Sequence, residues 1–413
     1  MDKLSRRTAL KAGGVLGALG SVAMVAPGRA EPWSWSPGGS VAGTGSGVDP
    51  MGVWDAEADP LVAGLIERGE VPRVNELLRT WTRNGQPLPA GLPTELRDFM
   101  EYARQLPQWA DPGKLGTSVE FTKKRGLYLG VLYGLASGMM STVIPKEARA
   151  VYYSKGGHDL KDRISKTAKL GYDIGTANAY APDGEMVVTC VKTRLVHAAV
   201  RHLLPQSPHW VYAADEDIPI SQNDMMVTWH SLPTTVMKHL TAWRVPIPAH
   251  ESDAFLHSWQ VCAHLLGIRD EYIPNSWGAA DSQAAQVLDP ILAPTPEGAA
   301  LADRLLRLGV NIDLTVLSKP VLGAFTRFLL GDPIADGLAI PREPVWDPLL
   351  RASWGPFIAV REGLLPLVPL APDAYWLFDE FLRQAALLYL AELRMPISIE
   401  LPRHNRDMSQ PPR

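Results

Sequence analysis

Glu185-Met-Val-Val-Thr-Cys-Val-Lys-Thr-Arg-Leu-Val-His-Ala-Ala-Val-Arg-His-Leu-Leu204 is a run of twenty residues with no proline or glycine. Val187, Val191, Leu195 and Ala198 recur at helical spacing and define a core stripe. Arg194, His197 and Arg201 stand at i−3, i and i+4 beside it, so they share one face of the helix. An imidazole with a guanidinium one turn away on each side suits a planar cofactor with a central metal and carboxylate arms. The nitrogen would ligate iron, and the arginines would pair with the carboxylates in forked hydrogen bonds. A surface helix with two solvated arginines and a half-buried histidine accounts for the same spacing.

The surrounding pattern is also helical. Amphipathic or buried segments are expected at 61–82, 93–106, 126–142, 159–178, 251–267, 296–308, 313–330 and 374–394. Thr295-Pro296-Glu297 reads as a cap followed by proline at the first helical position, and Gly309 and Gly331 follow their helices. Asn84-Gly85 and Asp183-Gly184 fall between helices, not between alternating strands. The expectation is one large all-α domain over 51–400, preceded by a linker or loosely docked arm at 31–50 and followed by a polar tail at 401–413. Gly126 to Pro145 is twenty residues without a charge, long enough to span a bilayer. Its several Gly, Ser and Thr residues and two tyrosines favour a core helix instead, with no stable membrane span. Gly130, Gly134 and Gly138 form a ridge on it that admits a neighbouring backbone or a flat cofactor.

Of the 413 residues, 46% are hydrophobic and 20% charged, which excludes a disordered or collagenous chain. The first thirty residues hold five Lys/Arg and one acid, so the net charge of −4 becomes −8 without them. So acidic a chain has no general attraction to nucleic acid or anionic lipid. Ser5-Arg6-Arg7-Thr8-Ala9-Leu10-Lys11, a mild apolar stretch from Gly13 to Ala26 and Gly28-Arg29-Ala30 have the order of a cleavable twin-arginine signal peptide over 1–30. Such export carries folded proteins, often with a cofactor already inserted. Two cysteines, Cys190 and Cys262, exclude an iron–sulfur ligand set or Cys-rich zinc site. They read as buried thiols or one disulfide. Without C-x-x-C-H, any haem would be held without thioether links. Arg163, Lys166 and Thr167 (i, i+3, i+4) and Glu147, just past the long apolar helix, have ordinary solvated readings when taken alone. His230, His239, His257 and His264 read as core or surface histidines.

Taken together, the twin-arginine leader, Glu147-Ala-Arg-Ala-Val-Tyr-Tyr, Arg163-x-x-Lys166-Thr167 and Thr193-Arg194-Leu195-Val196-His197-Ala-Ala-Val-Arg201-His202 resemble the latex clearing proteins, within the larger MpaB-like oxygenase family. The resemblance covers essentially the whole chain. It implies a globin-like helical core with additional helices at both ends, one non-covalent haem b per chain, and a secreted monomer that uses dioxygen to cleave poly(cis-1,4-isoprene). It also implies site roles. His197 would be the proximal haem-iron ligand and Lys166 the distal ligand of a closed state. Glu147 would be the base beside the distal pocket, with Arg163 and Thr167 shaping that pocket. Arg194, Arg201 and His202 would lie around the proximal side. A haem oxygenase of the same family acting on a smaller lipid or terpenoid, and an exported non-catalytic binding protein, are the alternatives.

Overall fold

The computed structural model describes residues 33–153, 160–214, 217–310, 318–364, 371–392 and 397–404, except the side chains of 209, 212, 213, 364 and 371–375. The leader lies outside the described residues. Among those described the chain is all-helical, and its only β feature is an isolated antiparallel bridge between Ser40 and Pro274. In chain order the helices are α1 (Ala58–Glu67), α2 (Val71–Leu78), α3 (Thr94–Ala103), α4 (Pro112–Val131), α5 (Pro145–Tyr152), α6 (Leu160–Asp173) and α7 (Met186–Leu203). There follow α8 (Pro208–Ala213), α9 (Gln222–Trp229), α10 (Thr235–Ala242), α11 (Ala249–Leu265) and α12 (Trp277–Val287). The last are α13 (Pro296–Gly309), α14 (Lys319–Leu330), α15 (Asp332–Gly337), α16 (Trp346–Ala359) and α17 (Ala371–Leu390).

Local chemistry sets many of these boundaries. Asp111 caps α4 by accepting from the Gly113 and Lys114 amides, and Ser221 and Asp224 form a reciprocal capping box on α9. Proline occupies the first turn of α4, α5, α13 and α14, where its missing N–H costs nothing. The expected helix at 61–82 is two helices, because Gly69 takes a left-handed φ of 70° between α1 and α2. The long apolar helix begins earlier than expected, at Pro112, and runs through a π-helical stretch at Leu132–Ser137. A second π stretch, His230–Thr234, joins α9 to α10 and contains Pro233, which removes a backbone donor from the ladder.

The core is built on α4, α7 and α11. Phe121 and Phe255 stack at 4.3 Å between α4 and α11, and Glu251 of α11 receives Lys124 at 2.5 Å and Arg125 at 2.8 Å. The buried thiols of Cys190 (α7) and Cys262 (α11) face each other at 3.9 Å in a thiol–thiol contact, without a disulfide. Trp81, Trp210 and Trp259 are fully buried, as a core reading of the tryptophans requires. No single helix among the described residues is long and apolar enough to cross a membrane. The uncharged stretch 126–145 is instead divided by an 88° bend between Pro112–Met140 and Pro145–Tyr152.

The ends of the domain are held more tightly than a linker and a tail would be. From Trp33 onward the 31–50 segment is docked on the domain and is no free linker. The Trp35 indole donates to the Glu271 carbonyl at 2.9 Å, and the Ser46 amide and hydroxyl both reach the Glu271 carboxylate. Nor does the tail begin at 401: Leu401 is buried, and Asn75 both donates to its carbonyl and accepts from its amide.

Candidate functional site

His197 lies midway along α7, and that helix is braced from two sides. On one side, Arg194 makes a forked pair with Asp55 (2.6 and 2.9 Å) and reaches Glu57 at 2.8 Å. Arg201 donates to Asp59 at 2.7 Å and to the Ile220 carbonyl at 3.1 Å. Both guanidinium groups are buried and engaged by carboxylates at the start of α1, so they fix the helix. Gly267 belongs to the same brace. Its φ is 89°, and a Cβ there would lie 2.6 Å from Arg194 Nε and 2.8 Å from Asp55 Oδ2, so only glycine fits. Replacing Asp55 by Ala strands a buried guanidinium and should cost about 3–5 kcal/mol; thermal unfolding of the variant measures it.

On the other side, Lys169 of α6 bridges Asp173 and Glu185 at 2.6 Å each, and the Thr189 hydroxyl donates to Asp173 at 2.7 Å. This buried network locks α6 against α7 and thereby sets Arg163, in the first turn of α6, relative to His197.

Three of the expected residues come together. Glu147 sits in the first turn of α5, where Pro145 has set the helix entry. Arg163 is close enough to Glu147 and to His197 to act on the ionisation of both. Burial pushes the Glu147 carboxyl up to about 7, against the opposing pull of a Thr228 hydrogen bond and the Arg163 charge. Burial likewise pushes His197 down to about 3, helped by the Arg201 and Arg163 cations, so the imidazole is neutral at physiological pH. Desolvation also draws the Arg163 guanidinium down, and Glu147 offsets part of that. Yet Glu147 and His197 are only half-buried, and Arg163 and Thr228 are exposed. Groups so deep among protein atoms but not sealed sit in a recess open to solvent.

The partner of Glu147 has no signature in the sequence. Thr228, in the last turn of α9, donates its hydroxyl to Glu147 Oε1, and the same oxygen lies 3.1 Å from the Asp224 carbonyl. Asp224 adds a like charge that raises Glu147 further. The capping-box spacing Ser221-x-x-Asp224 is a visible signal for the helix start, but nothing local links it to position 147.

The remaining expected residues are placed elsewhere. Lys166 donates to Asp162 one turn earlier at 2.6 Å. Held there, the amine has no lone pair to give a metal, so the ligation expected of Lys166 in a closed state is not the arrangement seen here. The Thr167 hydroxyl turns back onto the Arg163 carbonyl at 3.2 Å. His202 lies near the exposed Glu67, 4.0 Å away. A methyl group placed on Gly130 or Gly134 would have no described protein atom within 4 Å, whereas one on Gly126 would meet Asp379 at 3.0 Å. The glycine ridge is therefore not a helix-packing ridge at 130 and 134.

The bland reading of the other histidines holds. His230 is satisfied by Thr234 and Gln283 at 2.9 and 2.8 Å, His257 accepts from the Asp111 amide at 2.8 Å, and His264 pairs with Asp270 at 2.7 Å. His197 differs: its Nδ1 is buried with no hydrogen-bond partner. That nitrogen is sealed among protein atoms at a desolvation cost, which leaves Nε2 as the ring nitrogen a ligand would meet. Among the described residues no three His, Cys, Asp or Glu side chains cluster to cage a bare metal ion. A metal that brings most of its own ligands, as iron does in a porphyrin, needs no more than the one histidine.

A family model described as ER-bound oxygenase mpaB/B'/Rubber oxygenase, catalytic domain, matches residues 124–361. The chain is 55% identical over 408 residues to the rubber oxygenase of Streptomyces sp. (strain K30), covering 98% of this chain and 100% of that one. It also superimposes with a TM-score of 0.81 on a solved structure of latex clearing protein LCP in the closed state, at 55% identity. That match covers 89% of this chain and 99% of the other.

Proposed function

This chain belongs to the mpaB/rubber oxygenase family, and from that premise we propose that it is a secreted, monomeric b-type haem dioxygenase of rubber. Its reaction would cleave double bonds within poly(cis-1,4-isoprene), releasing oligo-isoprenoids with one aldehyde and one ketone end. The observation that carries the cofactor assignment is the neutral His197 imidazole with its unpartnered buried Nδ1, in a recess shared with Glu147 and Arg163. Haem b, when bound, would supply an iron that binds and activates dioxygen, and His197 would hold it. The twin-arginine leader supports export after the cofactor is loaded.

The protein's own groups supply the proton chemistry. A base near pKa 7 is strong enough to assist removal of an allylic proton and still ionised in useful amount at neutral pH. Glu147 meets that requirement because burial raises it while Thr228 and Arg163 keep ionisation within reach. Thr228 also fixes the carboxylate's orientation, leaving its second oxygen to act. The Arg163 cation discourages protonation of His197, keeping the imidazole available as a donor. With no polar handle on polyisoprene, orientation must come from apolar walls.

The sign of the pH dependence follows. Activity should rise with pH through about 7 as Glu147 ionises. Thr228→Val removes the donor that favours the carboxylate, so the acidic limb of the rate profile should move to higher pH. A limb that stays put would deny Thr228 this role. The function itself is tested by oxygen uptake on washed latex together with chromatography of carbonyl-ended products. Uptake only on a small lipid or terpenoid would place the enzyme elsewhere in the family.

A further inference from the structure

Helix α17 is built inside out. From Trp376 to Leu390 its exposed residues are Leu377, Phe378, Phe381, Leu382, Gln384 and Leu388, and none is charged. Leu377, Phe378 and Phe381 are 72%, 55% and 65% exposed. The charged side chains are tied to the body of the protein instead, although Glu380 keeps part of its carboxylate in solvent. Asp379 is buried, accepts from the Leu127 amide at 2.9 Å and pairs with Arg361 at 2.6 Å. Glu380 accepts from the Tyr172 hydroxyl at 2.7 Å, and Arg383 stacks over the Tyr172 ring. A surface helix ordinarily does the reverse, and contiguous exposed apolar patches of this kind mark contact sites.

The position of the helix narrows the occupant. Its inward side holds α4 through Leu127 and α6 through Tyr172, and α6 carries Arg163 of the candidate site. It thus packs on the helix that carries Arg163. The five exposed Leu and Phe side chains offer on the order of a few hundred Å². That is short of the roughly 800 Å² per partner of a stable protein interface, so a second copy of this chain is poorly served. An uncharged stripe also offers nothing to ionic headgroups or an acidic or basic partner. It suits an extended hydrocarbon surface that many molecules touch weakly and repeatedly. We infer that the outer face of α17 is an adsorption surface for the polyisoprene particle, holding the enzyme on its insoluble substrate. This inference rests on the rubber-cleaving reading above.

The test uses the holoenzyme and the triple variant Leu377→Gln/Phe378→Gln/Phe381→Gln. Wild type should partition onto washed latex particles. The variant's bound fraction should fall at least tenfold, and kcat/KM on latex should fall with it through KM. Its thermal midpoint and its turnover of a short, dispersed isoprenoid oligomer should match wild type. Equal partitioning of variant and wild type onto latex overturns the inference, as does wild-type binding to phosphatidylcholine vesicles as tight as to latex. So does light scattering that shows a wild-type dimer and a monomeric variant. If wild type takes up no oxygen on latex, the functional reading has failed. If it does, and the variant adsorbs equally, only the inference has.

Discussion

Replacing Glu147 by Gln should leave the fold intact, keep any cofactor spectrum unchanged and reduce oxygen uptake on latex about 10²–10⁴-fold. The amide has nearly the same shape as the carboxyl and can still accept from Thr228, so the α5–α9 contact survives. What disappears is the proton acceptor. Because the carboxyl is held near 7 by burial, the wild-type acidic limb and the variant's loss should trace to the same group. The residual activity of the variant should show no acidic limb near pH 7. Full activity in Glu147→Gln, or a limb that persists, would remove the base assignment without touching the cofactor assignment.

Replacing His197 by Ala should have the larger effect: complete loss of the chromophore from the purified protein and no measurable uptake. The fold should tolerate it. The ring makes no hydrogen bond through Nδ1, and α7 is held by Arg194, Arg201 and the Lys169 network on either side. Removing an unsatisfied buried nitrogen should cost little in stability, so circular dichroism should stay that of an all-helical protein. If exogenous imidazole restores colour to the variant, the vacated position is the ligand position. A variant that retains its full cofactor content would show that another side chain holds the group.

The helix that carries His197 is legible in sequence because its apolar stripe and its lack of breakers are local properties. The meaning of its arginines is not. Spacing shows that Arg194 and Arg201 share a face, but their partners Asp55, Glu57 and Asp59 lie about 140 residues upstream, and only tertiary structure brings them together. The case of Lys166 is different. Asp162 stands four residues before it, the spacing at which helical ion pairs form, so this competitor for the ammonium is readable from the sequence alone. The short helices α8 and α15 escape sequence reading because six residues give too little periodicity. The π stretches at 132–137 and 230–234 blur the 3.6-residue pattern of the helices they join. The inverted amphipathicity of α17 is hidden for another reason: a stripe of Leu and Phe announces a buried face in sequence, whichever way it points.

Whether His197 holds one haem b in this chain is decided by the visible spectrum and pyridine haemochrome of the protein purified after expression with adequate iron. A Soret band and close to one b-type haem per chain are expected. A folded, colourless wild-type protein, or a haem retained in full by His197→Ala, would contradict the assignment.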